Sequence, residues 1–170
     1  SIRRQRQMCI RDRSTDGRGI SYERTNEWIK AEKDLLASLK ANPDQAYVIN
    51  YLAYSWIEKG IKIEESLDML EKANKLKSND PYITDSLGWA LFKLKRYKEA
   101  KDYLQLAVKL LPGDPIVNDH YGDVLWKNGK EIQARYYWNY VLSLEKTEEK
   151  LKELSLIHIS EPTRLLSSGD

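Results

Sequence analysis

Asn118, Asp119, His120 and Asp123 lie within six residues of one another, the one grouping in the chain whose residue types and spacing could do chemistry. His120 and Asp123 would stand one turn apart on a helix, close enough for an imidazole and a carboxylate to share a ligand. Metal centres take three or four ligands supported by further hydrogen bonds. No second histidine, cysteine or carboxylate pair recurs here at a matching distance. A glycine-rich phosphate loop and a nucleophile motif are also missing, and no second histidine lies nearby for acid-base work. The expectation is a chain that is not an enzyme and holds no cofactor or metal. Asp119 is expected to face solvent or a groove, and His120 to pack against the next helix.

The elements that position those residues follow from two ladders of small side chains. Gly19, Ala53, Gly88 and Gly122 are separated by 34, 35 and 34 residues, and Ala31, Ser66, Ala100 and Ala134 by 35, 34 and 34. That is the period of a helix-turn-helix unit stacked into a solenoid, with the small residues where paired helices touch. Ile63, Leu67, Leu70 and Leu76 share one helical face, as do Leu104, Ala107, Val108 and Leu111, with Lys and Glu opposite. Asp80-Pro81 and Asp114-Pro115 each place a capping carboxylate before a proline at the first helical position. Gly60 and Gly129 suit the left-handed angles that end helices. Helices are expected near 18–25, 27–41, 45–59, 63–77, 82–94, 97–111, 116–128, 131–145 and 147–154, with Leu104 and Trp138 filling the space beside the small residues.

This pattern resembles the tetratricopeptide repeat. The third unit matches best through Leu87, Gly88, Leu91, Tyr97, Ala100, Leu104, Ala107 and Pro112. The fourth offers Tyr121, Gly122, Leu125, Ala134, Trp138 and Val141, and the second Leu52, Ala53, Trp56, Ser66, Leu70 and Ala73. The second carries one extra residue in its internal turn, because Ala53 and Ser66 are 13 apart where the other units use 12. The first is partial, with Gly19, Tyr22, Trp28, Ala31, Leu35 and Pro43 in place but Arg18 where a leucine is expected. The resemblance covers about residues 14–146. It implies an all-α, right-handed superhelical solenoid of antiparallel helix pairs, about three and a half repeats long. Repeats would span about 14–45, 46–80, 81–114 and 115–146 within a domain of residues 14–153, and a further helix would start at 147–153.

The resemblance also implies a concave wall lined by the first helix of each repeat. Carried over residue by residue, the wall positions are Tyr47, Asn50, Tyr54 and Ile57, then Tyr82, Asp85, Trp89 and Phe92, then Ile116, Asp119, Asp123 and Trp126. Aromatic rings there would supply contact area, and carboxylates would favour Lys, Arg or N–H donors on a peptide. The same aromatics could instead be core between repeats. Repeats that clamp the carboxylate terminus of a chaperone place Lys, Arg and Asn in the groove, whereas Asn50, Asp85 and Asp119 occupy the key position here. The asparagine ladder of the sugar-transferring enzyme is replaced by Tyr51, Ser86 and His120. Lys93, Lys95, Arg96, Lys98 and Lys101 cluster at the turn of repeat three, expected off the groove as a solvated edge.

The two ends of the chain differ in kind. Residues 8–13 can be back-translated into a string whose reverse complement encodes residues 154–158 and the start of Ile159, and that string resembles the transposase-recognition end of sequencing adaptors. Residues 1–13 and 154–170 are therefore expected to be translated adaptor flanking a metagenomic fragment, outside any fold. This changes the charge. The 28 basic and 26 acidic residues give +2, but without the five arginines and one aspartate of residues 1–13, and without Arg164, Glu161 and Asp170, 22 basic face 23 acidic. Most of the case for a nucleic-acid partner goes with that basicity. Cys9, the single cysteine, goes too, so no disulfide framework is expected and the compartment stays open. No run of about 20 apolar residues exists to span a membrane. The Lys, Ile, Asn and Tyr bias fits an AT-rich bacterial genome. Two function classes follow: a protein- or peptide-binding scaffold belonging to a larger protein, or a structural spacer that self-associates through the solenoid ends. An accessory domain of an enzyme encoded outside the fragment is the third.

Overall fold

Asp80 and Asp114 set where the chain turns back on itself. Each carboxylate accepts hydrogen bonds from two backbone N–H groups of the helix it starts: Tyr82 (3.0 Å) and Ile83 (3.1 Å) for Asp80, Ile116 (2.9 Å) and Val117 (3.1 Å) for Asp114. The proline that follows has no N–H to leave orphaned, so both helices begin sharply. The computed structural model describes residues 28–144, and among them lie seven helices. They are α1 (Trp28–Ala41), α2 (Ala46–Lys59), α3 (Ile63–Leu76), α4 (Pro81–Lys93), α5 (Tyr97–Leu110), α6 (Pro115–Lys127) and α7 (Glu131–Ser143). Each boundary falls within two residues of the range expected from sequence. The expected helices at 18–25 and 147–154, the small residue Gly19, and the segments 1–13 and 154–170 lie outside the described residues.

Helices pair as α2 with α3, α4 with α5 and α6 with α7; α3 then packs on α4 and α5 on α6. The first helices also touch in series, α2 on α4 and α4 on α6, forming a layer of their own. Burial follows this layering. Eleven residues of α2, nine of α4 and ten of α6 are buried, against four in each of α3 and α5 and three in α7. The first helices are packed nearly all round, whereas the second helices keep one apolar stripe and a wet face. One hydrophobic core runs unbroken from α2 to α7.

The small ladders lie in that core. Ala31, Ala53, Ser66, Ala100 and Ala134 have no exposed surface. A Cβ built on Gly88 would come within 2.6 Å of Leu104 Cγ, and one on Gly122 within 2.6 Å of Trp138 Cδ1, with the indole nitrogen nearer still. Both neighbours are fully buried, so the space a hydrogen leaves is already filled. The extra residue of repeat two lies in the turn between Gly60 and Ile63. Gly60 (φ +69°), Lys95 (φ +61°) and Gly129 (φ +71°) occupy the same place after their first helices, and the longer turn of repeat two carries a second left-handed residue, Lys62 (φ +49°), at the start of α3. At Lys95 a residue with a Cβ adopts the conformation glycine takes in the flanking repeats, at a cost of roughly 1–2 kcal/mol.

Candidate functional site

The wall formed by α2, α4 and α6 brings the register-equivalent residues 50, 85 and 119 into one row, with 54, 89 and 123 one turn further on. Its centre is a contact that sequence reading did not anticipate. His120, on α6, packs back onto α4 of the preceding repeat, with Nδ1 3.1 Å from each carboxylate oxygen of Asp85. Both side chains are almost wholly buried. The Trp89 ring stacks on the His120 imidazole at 3.9 Å and 12°, and Phe92 stacks on Trp89 at 4.7 Å and 7°. Tyr54 approaches the same imidazole at 6.4 Å. A single assembly of rings and one ion pair therefore joins three successive first helices.

Around it sit further charges. Trp89 Nε1 donates to Glu58 at 3.0 Å, and Lys93 lies over the Trp89 ring at 4.7 Å from its centroid. Lys93, expected as part of a solvated cluster, is exposed and stands over the aromatic stack. Elsewhere in that cluster Arg96 pairs with Glu99 at 2.6 Å. Burial pulls the His120 pKa down, but the Asp85 charge and hydrogen bond, with Asp119 and Glu58 behind them, outweigh it and hold the imidazole above its ordinary value. Asp123 goes the other way for a carboxyl. Burial, then the Asp119 charge, push it well above the usual carboxylate range, against opposing contributions from His120, a Trp138 hydrogen bond and Lys93.

The ten expected contact residues separate into two sets. Asn50, Tyr54, Asp85, Trp89, Asp119 and Trp126 are buried, whereas Tyr47, Tyr82, Phe92 and Asp123 are half-buried and reach the surface of the wall. Asp119 thus does not form a solvated face. Only 7% of its surface stays exposed. Tyr47 is tied down as well: its hydroxyl donates to Asp80 at 2.8 Å and accepts from Lys77 at 2.6 Å, linking repeat two to the cap of repeat three. Asn118 leaves the chemistry cluster altogether, since its amide donates to the carbonyls of Pro112 (2.9 Å) and Asp114 (2.7 Å). Glu58, Lys93 and His120 were missed as wall residues. Their signal was the repeat register itself: His120 stands one position after Asp119, the equivalent of Asp85, and consecutive first helices are close enough for neighbouring registers to meet.

An imidazole clasped at Nδ1 by a carboxylate is an oriented base or a structural ion pair, depending on what faces its other nitrogen. Here the ring faces are covered by Trp89 and approached by Tyr54. Among the described residues no group of three or more His, Cys, Asp or Glu could hold a metal ion. No helix among them is long and apolar enough to cross a membrane.

Comparison with known proteins agrees with the fold. The family model described as tetratricopeptide repeat matches residues 18–147. The chain belongs to the tetratricopeptide-repeat family. A tetratricopeptide-repeat-containing protein of Pseudomonas aeruginosa is 33% identical over 76 residues, which is 45% of this chain. The match spans only 13% of that relative's length. Among solved structures, MamA from AMB-1 superposes with a TM-score of 0.64 at 22% identity, covering 79% of each chain. The first tetratricopeptide-repeat domain of Spaghetti (RPAP3), solved with an HSP90 peptide of sequence SRMEEVD, gives a TM-score of 0.59 at 23% identity, covering 70% of this chain and 93% of its own. At these identities the structural likeness concerns the tetratricopeptide-repeat solenoid fold.

Proposed function

We propose that this chain is a binding scaffold for a protein or peptide, using the inner wall of its tetratricopeptide-repeat solenoid. One observation carries the reading: α2, α4 and α6 form a continuous layer in which Tyr82, Phe92, Ile116 and Asp123 stay half-exposed, while Trp89, His120 and Asp85 are buried and locked to one another with Phe92 stacked on Trp89. A rigid floor beneath exposed rings lowers the ordering cost of association, which is how preorganised sites gain affinity. Glu58 and Asp119 bring negative charge to the wall, Asp123 adds a carboxyl whose ionisation a nearby cation would favour, and Lys93 already acts on Asp123 in that sense. The favoured partner is therefore an extended segment carrying Lys or Arg beside an apolar residue, in contrast to the acidic peptide printed for the Spaghetti domain. The geometry supports binding over catalysis, because its histidine is stacked and clasped within the wall.

The test compares a fluorescent peptide array, Lys/Arg-bearing against Asp/Glu-bearing, on the intact chain and on Phe92→Ala and Asp123→Asn variants. Neither substitution touches the Asp85–His120 pair, so helicity is expected to persist. Retention of basic peptides, weakened roughly tenfold by either change, fits a hot-spot aromatic with a partner charge. Equal binding by all three proteins contradicts the inner-wall reading.

A further inference from the structure

The outward face of α7 differs from those of the other second helices. Measured from the small residues Ala31, Ser66, Ala100 and Ala134, the position two residues earlier holds Ile29, Glu64, Lys98 and Ile132, and the position two residues later holds Lys33, Asp68, Asp102 and Tyr136. All eight are exposed; repeats two and three present charge at both places and repeat one pairs Ile29 with a lysine, whereas repeat four alone presents two large uncharged side chains, an isoleucine 87% exposed and a tyrosine 67% exposed. Solvent gives no reason for this exchange, since an apolar side chain left in water gains nothing. The tyrosine is also held in place: its ring meets Tyr137 edge-on at 5.4 Å and 88°, and Tyr137 in turn meets Tyr121 at 4.7 Å and 76°.

We infer that Ile132 and Tyr136 form a self-association patch, in which α7 of one molecule packs antiparallel on α7 of a second copy about a twofold axis. The charges of α7 choose this occupant. The helix carries one acid, Glu131, and one base, Arg135, four residues apart along a line beside the Ile132–Tyr136 line, and no other charge. A twofold axis perpendicular to the helix reverses direction but keeps each line on its own side. Ile132 then meets the second copy's Tyr136, and Glu131 meets the second copy's Arg135. The patch is thus self-complementary in shape and in charge, as an isologous interface requires. Among the described residues Glu131 makes no ion pair, and Arg135 stands over the Trp126 ring at 5.9 Å. The surface is small beside the roughly 800 Å² per partner of a standard interface, so the dimer is weak and depends on concentration. It also leaves the inner wall free, and two copies would display two walls.

Sedimentation velocity of the full chain, over about a hundredfold range of concentration, tests this. The wild-type chain is expected to shift from monomer to dimer. An Ile132→Lys/Tyr136→Asp double variant installs the pair that repeat three carries, and should raise the dissociation constant roughly tenfold or more without changing helicity. Glu131→Arg alone and Arg135→Glu alone should each weaken the dimer, and the two together should restore it. A wild-type chain that stays monomeric throughout overturns the inference, as does a dimer indifferent to the double variant. Failure of the charge swap to restore association overturns the antiparallel pairing.

Discussion

Gly122→Ala isolates the contact on which the stacking depends. Placing alanine in a helix interior ordinarily stabilises it by about 1 kcal/mol. Here the new methyl would sit 2.6 Å from Trp138 Cδ1, against the 3.5–4.0 Å at which carbons rest, so the ring must retreat by roughly 1 Å. Trp138 has no exposed surface and its indole is rigid, so the retreat propagates into α6 and α7. Overpacking of this kind costs up to about 3 kcal/mol. The net loss is about 2 kcal/mol, which lowers the urea midpoint by roughly 1 M for a slope near 2 kcal/mol/M. Gly60→Ala is the control, since nothing lies within 4 Å of its Cβ and only the left-handed backbone (φ +69°) resists, for about 1 kcal/mol. Urea denaturation followed by circular dichroism reads both. A midpoint for Gly122→Ala equal to or above wild type would refute the close-approach reasoning.

Lys95→Gly relieves a left-handed residue that bears a Cβ (φ +61°) and should raise stability by about 0.5–1 kcal/mol in the same assay. Asp80→Ala removes the carboxylate that accepts from two backbone N–H groups and from the Tyr47 hydroxyl, so a loss of about 1–2 kcal/mol is expected, larger than for an exposed helix cap. The His120 imidazole is held above its unfolded value near 6.5, so its contribution is complete below that pH and is lost as pH rises through the folded value. Asp123 acts in the same direction from 3.8 upward, because its folded carboxyl keeps a proton that the unfolded chain releases. Urea midpoints should therefore fall from pH 6 toward pH 9 in the wild type, and His120→Gln should lie lower at pH 6 and change less across that window. A cationic peptide would favour the ionised form of Asp123, so its affinity should rise with pH, read by fluorescence anisotropy; Asp123→Asn should flatten that dependence.

Much of the architecture was legible because it is periodic. Gly88, Gly122 and the alanines mark helix crossings whatever surrounds them, and Asp-Pro pairs mark helix starts through a local hydrogen bond. Lys62 and Lys95 were harder to read, since their left-handed angles are imposed by the turn and carry no residue signature. The wall residues were legible as a set of positions but not as a set of exposures. Trp89 and Asp85 look like ligand contacts in a linear register, yet the pairing of His120 with Asp85 spans 35 residues and places both beneath the surface. Sequence spacing relates a residue to its equivalents; it does not state which neighbour on the adjacent helix it will meet.

The central claim is that the layer of first helices is the binding wall. Amide chemical-shift mapping of the isotopically labelled full chain, titrated with a retained Lys-bearing peptide, tests it most directly. The account predicts shifts concentrated on α2, α4 and α6 around Tyr82, Phe92 and Asp123, with the Trp89 indole resonance moving in step. Shifts confined to the outer faces of α3, α5 and α7 would contradict it.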